Sequence, residues 1–404
     1  MATSTPQRKV AIIGGSIAGC AAAIAAHKAG CEVTLYERSH GDLAERGFGI
    51  SLPPALVEKC VEGGYLDADV VTWDIYERHW FTLDSKGDHL DLWTSPLRMV
   101  AFNWGLLWKS LRSHVPDGVY RQGHKVTALT ATDSGATLTV DGVDEHYDLV
   151  VGADGYRSIV RSRVAGETTP GYSGYVTWRG VVDASALTGC DDVLKQLETG
   201  AATAGFDGGH VMYYPIPGPD GRRRINWLVY ACPPESVDMG LSMSYTSADL
   251  EAAVTPHFNR LIENVSPQWR QIIQQTPDEI KAFQPIFDLE LDRCAAAPFV
   301  LAGDASTITR PHTASGGTKA IEDALCLEKV LRESDSIADA VATYDKERNE
   351  VGNELVRLSR RLGRAQVLET PDWAGMDPQS MSEWVAETVA GHGVYIYAGN
   401  TTDE

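Results

Sequence analysis

Closely spaced cysteine pairs, a net basic charge and long apolar runs are all missing from this chain of 404 residues. Its seven cysteines are scattered, with no C-x-x-C pair. Neither a zinc clasp nor a disulfide framework is expected, and no metal ligands are assigned. That usage suits a reduced, cytoplasmic setting. Lys and Arg total 35 against 55 Asp and Glu, a net charge of −20. Nucleic acid and anionic membranes both demand a basic face, so neither is expected as a partner. The N-terminal MATSTPQRKV lacks the apolar core and cleavage pattern of a signal peptide. The most apolar stretch, Val10 to Ala26, holds Gly14, Gly15 and Gly19 among small residues. A membrane span takes roughly 20 strongly apolar residues, so a buried strand, turn and helix explains this stretch better.

What is present begins there. Lys9 to Ile13 reads as a buried parallel strand, Gly14 to Gly19 as a turn, and Cys20 to Ala29 as an alanine-rich helix closed by Gly30. Glu32 to Tyr36 is the next strand, completing a βαβ unit. Gly14, Gly15, Ser16, Ile17, Ala18 and Gly19 stand where G-x-G-x-x-G stands in a dinucleotide fold. Glycine at 14 allows the tight turn, and small residues at 16 and 19 let backbone approach a pyrophosphate at a helix N-terminus. Ser16 replaces the middle glycine. Glu37 ends the second strand, where a carboxylate accepts from an adenosine ribose and repels a 2′-phosphate. With so acidic a chain, an anionic cofactor needs local donors: backbone N–H groups, Arg38, Arg46 and Arg157.

Further along, Pro53 to Gly63 and Leu106 to Val115 read as helices, and Trp73 to Trp93 as antiparallel strands. Lys125 to Val140 has hairpin alternation, and Tyr147 to Val151 is another buried strand. Tyr172 to Tyr230 is rich in aromatics and turn residues. Its segments His210 to Ile216 and Arg224 to Ala231 predict a hairpin within an antiparallel sheet. Ser247 to Gln275 reads as helical with a break near Ser266-Pro267. Val300 to Ala302 returns to the first domain as a strand, and Ile321 to Glu333 and Ile337 to Leu368 are long amphipathic helices. The first domain is therefore assembled from separated segments with a second domain inserted between them.

Two later segments complete the pattern. G-A-D-G-x-x-S-x-V-R, with Asp154 before Gly155, follows a buried strand and suits a loop over a pyrophosphate. VLAGDASTITRPHTASGGTKAIEDA, Val300 to Ala324, ends a strand in Gly303-Asp304, passes Pro311 and opens a helix on Gly316-Gly317. A plain dinucleotide enzyme leaves this third segment unexplained. A flavin needs it, because its adenine and isoalloxazine ends lie far apart.

With all three segments in view the chain resembles the class A flavoprotein monooxygenases of the para-hydroxybenzoate hydroxylase fold. GYVTWRG (Gly174 to Gly180), YPIPG (Tyr214 to Gly218) and TRPHTASGGTKA (Thr309 to Ala320) resemble the hydroxypyridine branch. The resemblance implies an α/β fold: a Rossmann-like FAD-binding domain of the GR2 type, an inserted antiparallel β-sheet substrate domain and C-terminal helices. FAD-binding parts are expected at 1–71, 98–170 and 284–368, substrate-domain parts at 72–97 and 171–283, and a tail at 369–404. It implies non-covalent FAD, with Glu37 at the ribose, Asp304 at the ribityl chain and Asp154 serving FAD and NAD(P)H. Pro311 and the loop through Gly316, Gly317 and Thr318 would line the flavin, and the helix N-terminus would face its N1 and O2 edge.

The implied reaction is hydroxylation of a small electron-rich aromatic substrate by O2 through a flavin 4a-hydroperoxide. NAD(P)H would bind transiently, without a separate reductase, and the resemblance suggests a homodimer. His312, Pro311 and Tyr214 are the candidate catalytic residues, and Trp178, Arg179, His210, Met212, Tyr214 and His312 the candidate substrate contacts. Period-2 alternation puts His210, Met212 and Tyr214 on one face of their strand. Three positions depart from the family: Trp104 for a common Arg, Thr307 for a His and Thr318 for an Asn. The readings weighed against this one are a tailoring monooxygenase for a larger natural product and a non-catalytic flavin-binding module. A halogenase signature is absent.

Overall fold

The computed structural model describes residues 7–45, 47–234 and 254–390. Expectations for Arg46 and for the Ser247–Ala253 part of the predicted helix lie outside them, as does the tail from 391. Strand β1 (Lys9–Ile13) is buried from Val10 onward, as its unbroken apolar run requires for a strand covered on both faces. Helix α1 (Ile17–Lys28) follows, starting three residues earlier than expected because Ile17, Ala18 and Gly19 already belong to its first turn. Gly30, at φ +84°, terminates it in the left-handed conformation that glycine takes without strain. Strand β2 (Glu32–Glu37) then pairs parallel to β1.

The first sheet is completed from distant segments. Strands β6 (Tyr120–Gln122), β10 (Leu149–Gly152), β16 (Ala295–Ala296) and β17 (Phe299–Leu301) join β1 and β2 in the order β16-β17-β10-β1-β2-β6. Helix α1 is buried along Ile17–Ala26 and packs on α8 (Gly316–Glu333). Its alanines let the two helix backbones approach closely, which a larger residue would prevent.

Three strands (Val126–Thr132, Gly135–Val140 and Val143–Tyr147) form a small antiparallel sheet, and an eight-stranded sheet carries the rest. The large sheet consists of β3 (Gly49–Leu52), β4 (Trp73–Leu83), β5 (His89–Asn103), β11 (Gly171–Asp183), β12 (Gly200–Phe206), β13 (Gly209–Pro217), β14 (Arg223–Ala231) and β15 (Ala282–Asp288). Their order is β15-β11-β14-β13-β12-β4-β5-β3. The predicted hairpin is β13–β14, with Tyr214 opposite Asn226 and His210 opposite Tyr230. One pairing departs from the expected antiparallel sheet: β12 runs parallel to β4. These strands are joined through more than a hundred residues, so no hairpin turn constrains their direction.

One face of this sheet is sealed by α5 (Asp191–Gln196), α6 (Val254–Ile262) and α7 (Pro267–Gln274), around Trp227, Phe258 and Trp269. The other face turns toward the nucleotide-binding part and the end of α9 (Ile337–Gly363). The predicted helix to Leu368 is regular only to Gly363, and Arg364–Leu368 form a π turn. No helix among the described residues is long and apolar enough to cross a membrane.

Candidate active site

The turn after β1 is held from several sides. The carbonyl of Gly15 accepts from Trp108 Nε1 at 2.8 Å and from the Tyr120 hydroxyl at 3.2 Å. Its N–H donates to Glu37 Oε2 at 2.7 Å, and Ser39 N–H donates to Oε1 at 2.7 Å. Glu37 is thereby fixed with both oxygens oriented at the end of β2. Gly14 has φ +103°, and a side chain there would overlap the Ala153 carbonyl. A Cβ on Gly19 would overlap the Gly14 carbonyl oxygen. Ser16 caps α1 without using its hydroxyl on the helix.

A cleft of about 630 Å³ runs from this turn to the start of α8. Gly14, Ser16, Ile17, Ala18, Glu37 and Arg38 line one end, Asp154 and Arg157 the middle, and Gly303, Asp304, Gly316 and Gly317 the other end. Three segments far apart in sequence thus meet on one elongated space. Trp104 also lines it, placed by its position at the start of α3 (Trp104–Ser113). Asn103 caps that helix by accepting from Gly105 and Leu106 N–H. Lys125 is a further cation on the wall that sequence reasoning missed, since it sits at the start of a solvent-facing hairpin with no motif around it.

The carboxylates along this cleft show what it can hold. Asp154 accepts from Ile159 N–H at 2.8 Å through Oδ2, which closes the loop as an Asx-type turn would. Its Oδ1 is buried without a hydrogen-bond partner. Asp304 stands within the cleft and exposes its side chain to it. Burial raises its pKa, opposed by the charges of Lys319 and Arg161. Arg161 ties the middle segment to the third one, donating to the carbonyls of Ala305 at 2.9 Å and Asp304 at 2.7 Å. Beneath the turn, Asp323 accepts from Gly303 N–H at 2.9 Å, and Lys319 Nζ donates to the Gly303 carbonyl at 2.8 Å.

Gly316 has open space where a Cβ would go, and the first N–H groups of α8 have no intrahelical partner. Thr307 and Thr318 are buried with unpartnered hydroxyl oxygens. An acceptor set at one end, an orphaned carboxylate oxygen in the middle and a glycine-opened helix N-terminus at the other end fit an extended dinucleotide with a flavin ring. Glu37, Asp154 and Asp304, together with the backbone N–H groups, are the groups of this cleft that could hold such a cofactor.

The third segment also reaches the large sheet. Pro311 begins a short 3₁₀ turn with its ring exposed, and His312 within it is buried. His312 Nε2 lies 2.7 Å from the Tyr175 hydroxyl. The His312 ring centre stands 4.7 Å from that of Tyr230 and 5.4 Å from that of His210. His210 Nδ1 lies 3.1 Å from the Gln366 carbonyl in the π turn, so that nitrogen donates. Burial holds both imidazoles below their usual pKa, His210 down to about 3, with the Arg78 charge adding to the effect. Both rings are therefore neutral at neutral pH. Tyr175 was not among the sequence candidates, although it lies within the GYVTWRG run.

Arg179, Met212 and Tyr214 share this inner face and retain accessible surface. Tyr214 packs on Gly49, where a Cβ would come within 2.5 Å of its hydroxyl. Trp178 does not belong with them. It points to the opposite face and packs among Phe258 and Phe283, because neighbouring strand residues alternate sides. A larger cleft, about 1010 Å³, lies between α2 (Pro54–Glu62), β5 and the C-terminal half of α8, and holds none of the candidate residues.

Comparison with known proteins agrees with this geometry. A family model described as "FAD binding domain" matches residues 7–359. The chain is 27% identical over 373 residues to 2,6-dihydroxypyridine 3-monooxygenase of Paenarthrobacter nicotinovorans, covering 88% of this chain and 91% of that protein. It is 26% identical over 395 residues to 6-hydroxynicotinate 3-monooxygenase of Bordetella bronchiseptica, covering 90% and 94%. The solved structure of 2,6-dihydroxypyridine-3-hydroxylase from Arthrobacter nicotinovorans superposes with a TM-score of 0.79 at 25% identity, covering 93% of this chain and 97% of that one. The chain belongs to the FAD binding domain family and is a flavin-dependent monooxygenase of the para-hydroxybenzoate hydroxylase fold.

Proposed function

We propose that the chain is a single-component aromatic hydroxylase that uses NAD(P)H and O2 to add one hydroxyl to an electron-rich ring of the hydroxypyridine or phenol type. The observation that carries this reading is the convergence of Glu37, Asp154 and Asp304, from three separated segments, on one cleft that Ile50, in strand β3 of the large sheet, also lines. Relatives named for 2,6-dihydroxypyridine and 6-hydroxynicotinate support the substrate class.

FAD, held by Glu37, Asp154 and Asp304, would supply the redox chemistry that couples nicotinamide oxidation to oxygen transfer. The chain's residues do the rest. Glu37 and the Gly14–Gly19 turn fix the adenosine end, while Asp304 and the α8 N-terminus fix the ring end. The helix N-terminus favours negative charge at the flavin's edge. The inner sheet face receives the substrate through Arg179, Met212 and Tyr214. His312, neutral and paired with Tyr175, accepts or relays a proton at Nε2 as the substrate hydroxyl ionises. Packing of His312 on Tyr230 and His210 keeps water from that pair.

The reading includes no separate reductase, a homodimer and a cytoplasmic location, the last in keeping with seven unpaired cysteines. Turnover by the isolated chain and size-exclusion chromatography test the first two. Purified protein should show flavin absorbance and release FAD on denaturation. FMN alone, or no binding after reconstitution, would remove the reading.

A further inference from the structure

Arg179 stands in the middle of β11, level with Leu228 of β14 and, one strand further, with Met212 of β13. It makes no ion pair or hydrogen bond among the described residues, and its Nε is buried without a partner. The other enclosed arginines are satisfied. Arg161 donates to backbone carbonyls. Arg310 pairs with Asp288 at 2.7 Å, and Arg348 pairs with Asp323 at 2.7 Å. A guanidinium removed from bulk water with no counter-charge is the expensive case.

Two neighbours offset part of that cost. The guanidinium carbon lies 3.8 Å from the centre of the Phe48 ring, a cation–π contact that leaves the N–H donors unmet. The charge also feels the hydroxyls of Tyr214 and Tyr230. Burial pushes Tyr214 up to about 12 and Tyr230 up as well, so neither supplies a phenolate. Arg179 nonetheless keeps accessible surface, as do Met212 and Tyr214 beside it. The Phe48–Ile50 segment faces these side chains, with Phe48 on the guanidinium and Gly49 against Tyr214. Toward His312 the same face carries the ring contacts with His210 and Tyr230. Accessible surface on this face is kept by Arg179, Met212 and Tyr214. Ile50, two residues from Phe48, lines the FAD cleft and meets Gly317. The unpaired cation and the cofactor cleft thus share one short segment as a wall.

We propose that Arg179 is the anion anchor of the substrate site. Its guanidinium N–H groups receive an anionic oxygen of the aromatic ring, a carboxylate or an ionised ring hydroxyl, and thereby orient the ring toward the FAD cleft. This inference rests on the monooxygenase reading and narrows its substrate to a ring carrying negative charge.

The test uses the FAD-loaded chain and its Arg179→Met and Arg179→Lys variants. Binding is read from the perturbation of the flavin absorbance spectrum. One probe pair is 6-hydroxynicotinate and 6-hydroxynicotinamide, which differ in the carboxylate. A second probe, 2,6-dihydroxypyridine, is titrated above and below its first ionisation and reports on a ring oxyanion. The parent should bind at least one anionic form about 10-fold or more tighter than its neutral counterpart, the range of a charged hydrogen bond. Whichever anion shows the preference identifies the source of the charge. Arg179→Met should lose the preference, and Arg179→Lys should recover part of it. The ligand-free Met variant should melt no lower than the parent, because it removes an unpaired buried charge; a purely structural arginine would lower the melting temperature. Equal binding of charged and neutral probes by the parent, or a preference surviving in Arg179→Met, overturns the inference and leaves the monooxygenase reading standing. No perturbation by any ring in the parent would instead remove that reading, and this inference with it.

Discussion

The Tyr175 hydroxyl and His312 Nε2 lie 2.7 Å apart, joining the inner face of the large sheet to the loop that leads into α8. Burial and the nearby charges of His210, Arg310 and Arg78 hold the His312 imidazole well below its ordinary pKa. It is thus a neutral ring ready to exchange a proton with Tyr175. Tyr175→Phe removes that partner and little volume. The turnover number for ring hydroxylation should fall about 10-fold or more, with FAD affinity and substrate KM nearly unchanged. The pH profile of turnover should also shift. A variant with the parental turnover and profile would show that the pair is structural only.

The two buried histidines make stability depend on pH in a defined window. Burial lowers the His210 pKa from its ordinary 6.5 to about 3 in the folded chain. Between these the unfolded chain binds a proton that the folded chain excludes, so stability is full above pH 6.5 and falls as pH drops toward about 3. His312 acts in the same direction. His210→Gln should flatten the acid side of a plot of melting temperature against pH. An unchanged acid slope would assign that loss to other groups.

Asp304 and Gly316 separate the needs of the cofactor from those of the protein. Asp304→Ala should weaken FAD retention about 10-fold or more while the ligand-free protein keeps its stability, since burial already disfavours that carboxylate. Gly316→Ala meets no protein atom within 4 Å. It should leave the ligand-free melting temperature equal or higher and still lower FAD affinity. Isothermal titration with FAD and calorimetry of the apoprotein measure both quantities.

Beneath the Gly303–Asp304 turn, Lys319 and Asp323 pair at 3.1 Å, with Arg348 on the second carboxylate oxygen at 2.7 Å. All three are largely enclosed, and Asp323 also accepts from Gly303 N–H. Asp323→Ala strands the Lys319 ammonium and frees the turn. Urea unfolding should show a loss of about 3–5 kcal/mol. A loss below about 1 kcal/mol would mean that the ion pairs contribute no more than surface ones do.

The sequence was most informative where local physics leaves little choice. Buried parallel strands such as β1 must be continuous apolar runs, and Gly14 and Gly19 stand where any Cβ would strike backbone. Those constraints made the nucleotide turn and the role expected of Glu37 readable. Period-2 alternation put Trp178 and Arg179 on opposite faces, but nothing local says which face is inward. Trp178, expected at the pocket wall, belongs to the core behind the sheet. Tyr175 and His312 are 137 residues apart, and no pattern in either segment announces their contact. The parallel β12–β4 pair and the π turn that accepts from His210 likewise depend on tertiary packing alone. That Arg179 meets no counter-charge among the described residues could not be read from sequence at all, since it depends on what the fold brings near it.

The central claim is that this single chain, loaded with FAD, transfers one oxygen atom from O2 to an aromatic ring. Its most direct test is the mass of the product formed by the purified chain with FAD, NADH or NADPH and ¹⁸O-labelled dioxygen, across a panel of hydroxypyridines and hydroxybenzoates. The account predicts at least one ring product that gains a single labelled oxygen, with no second protein added. Nicotinamide oxidation that yields only hydrogen peroxide for every ring, under conditions where FAD is bound, would contradict it.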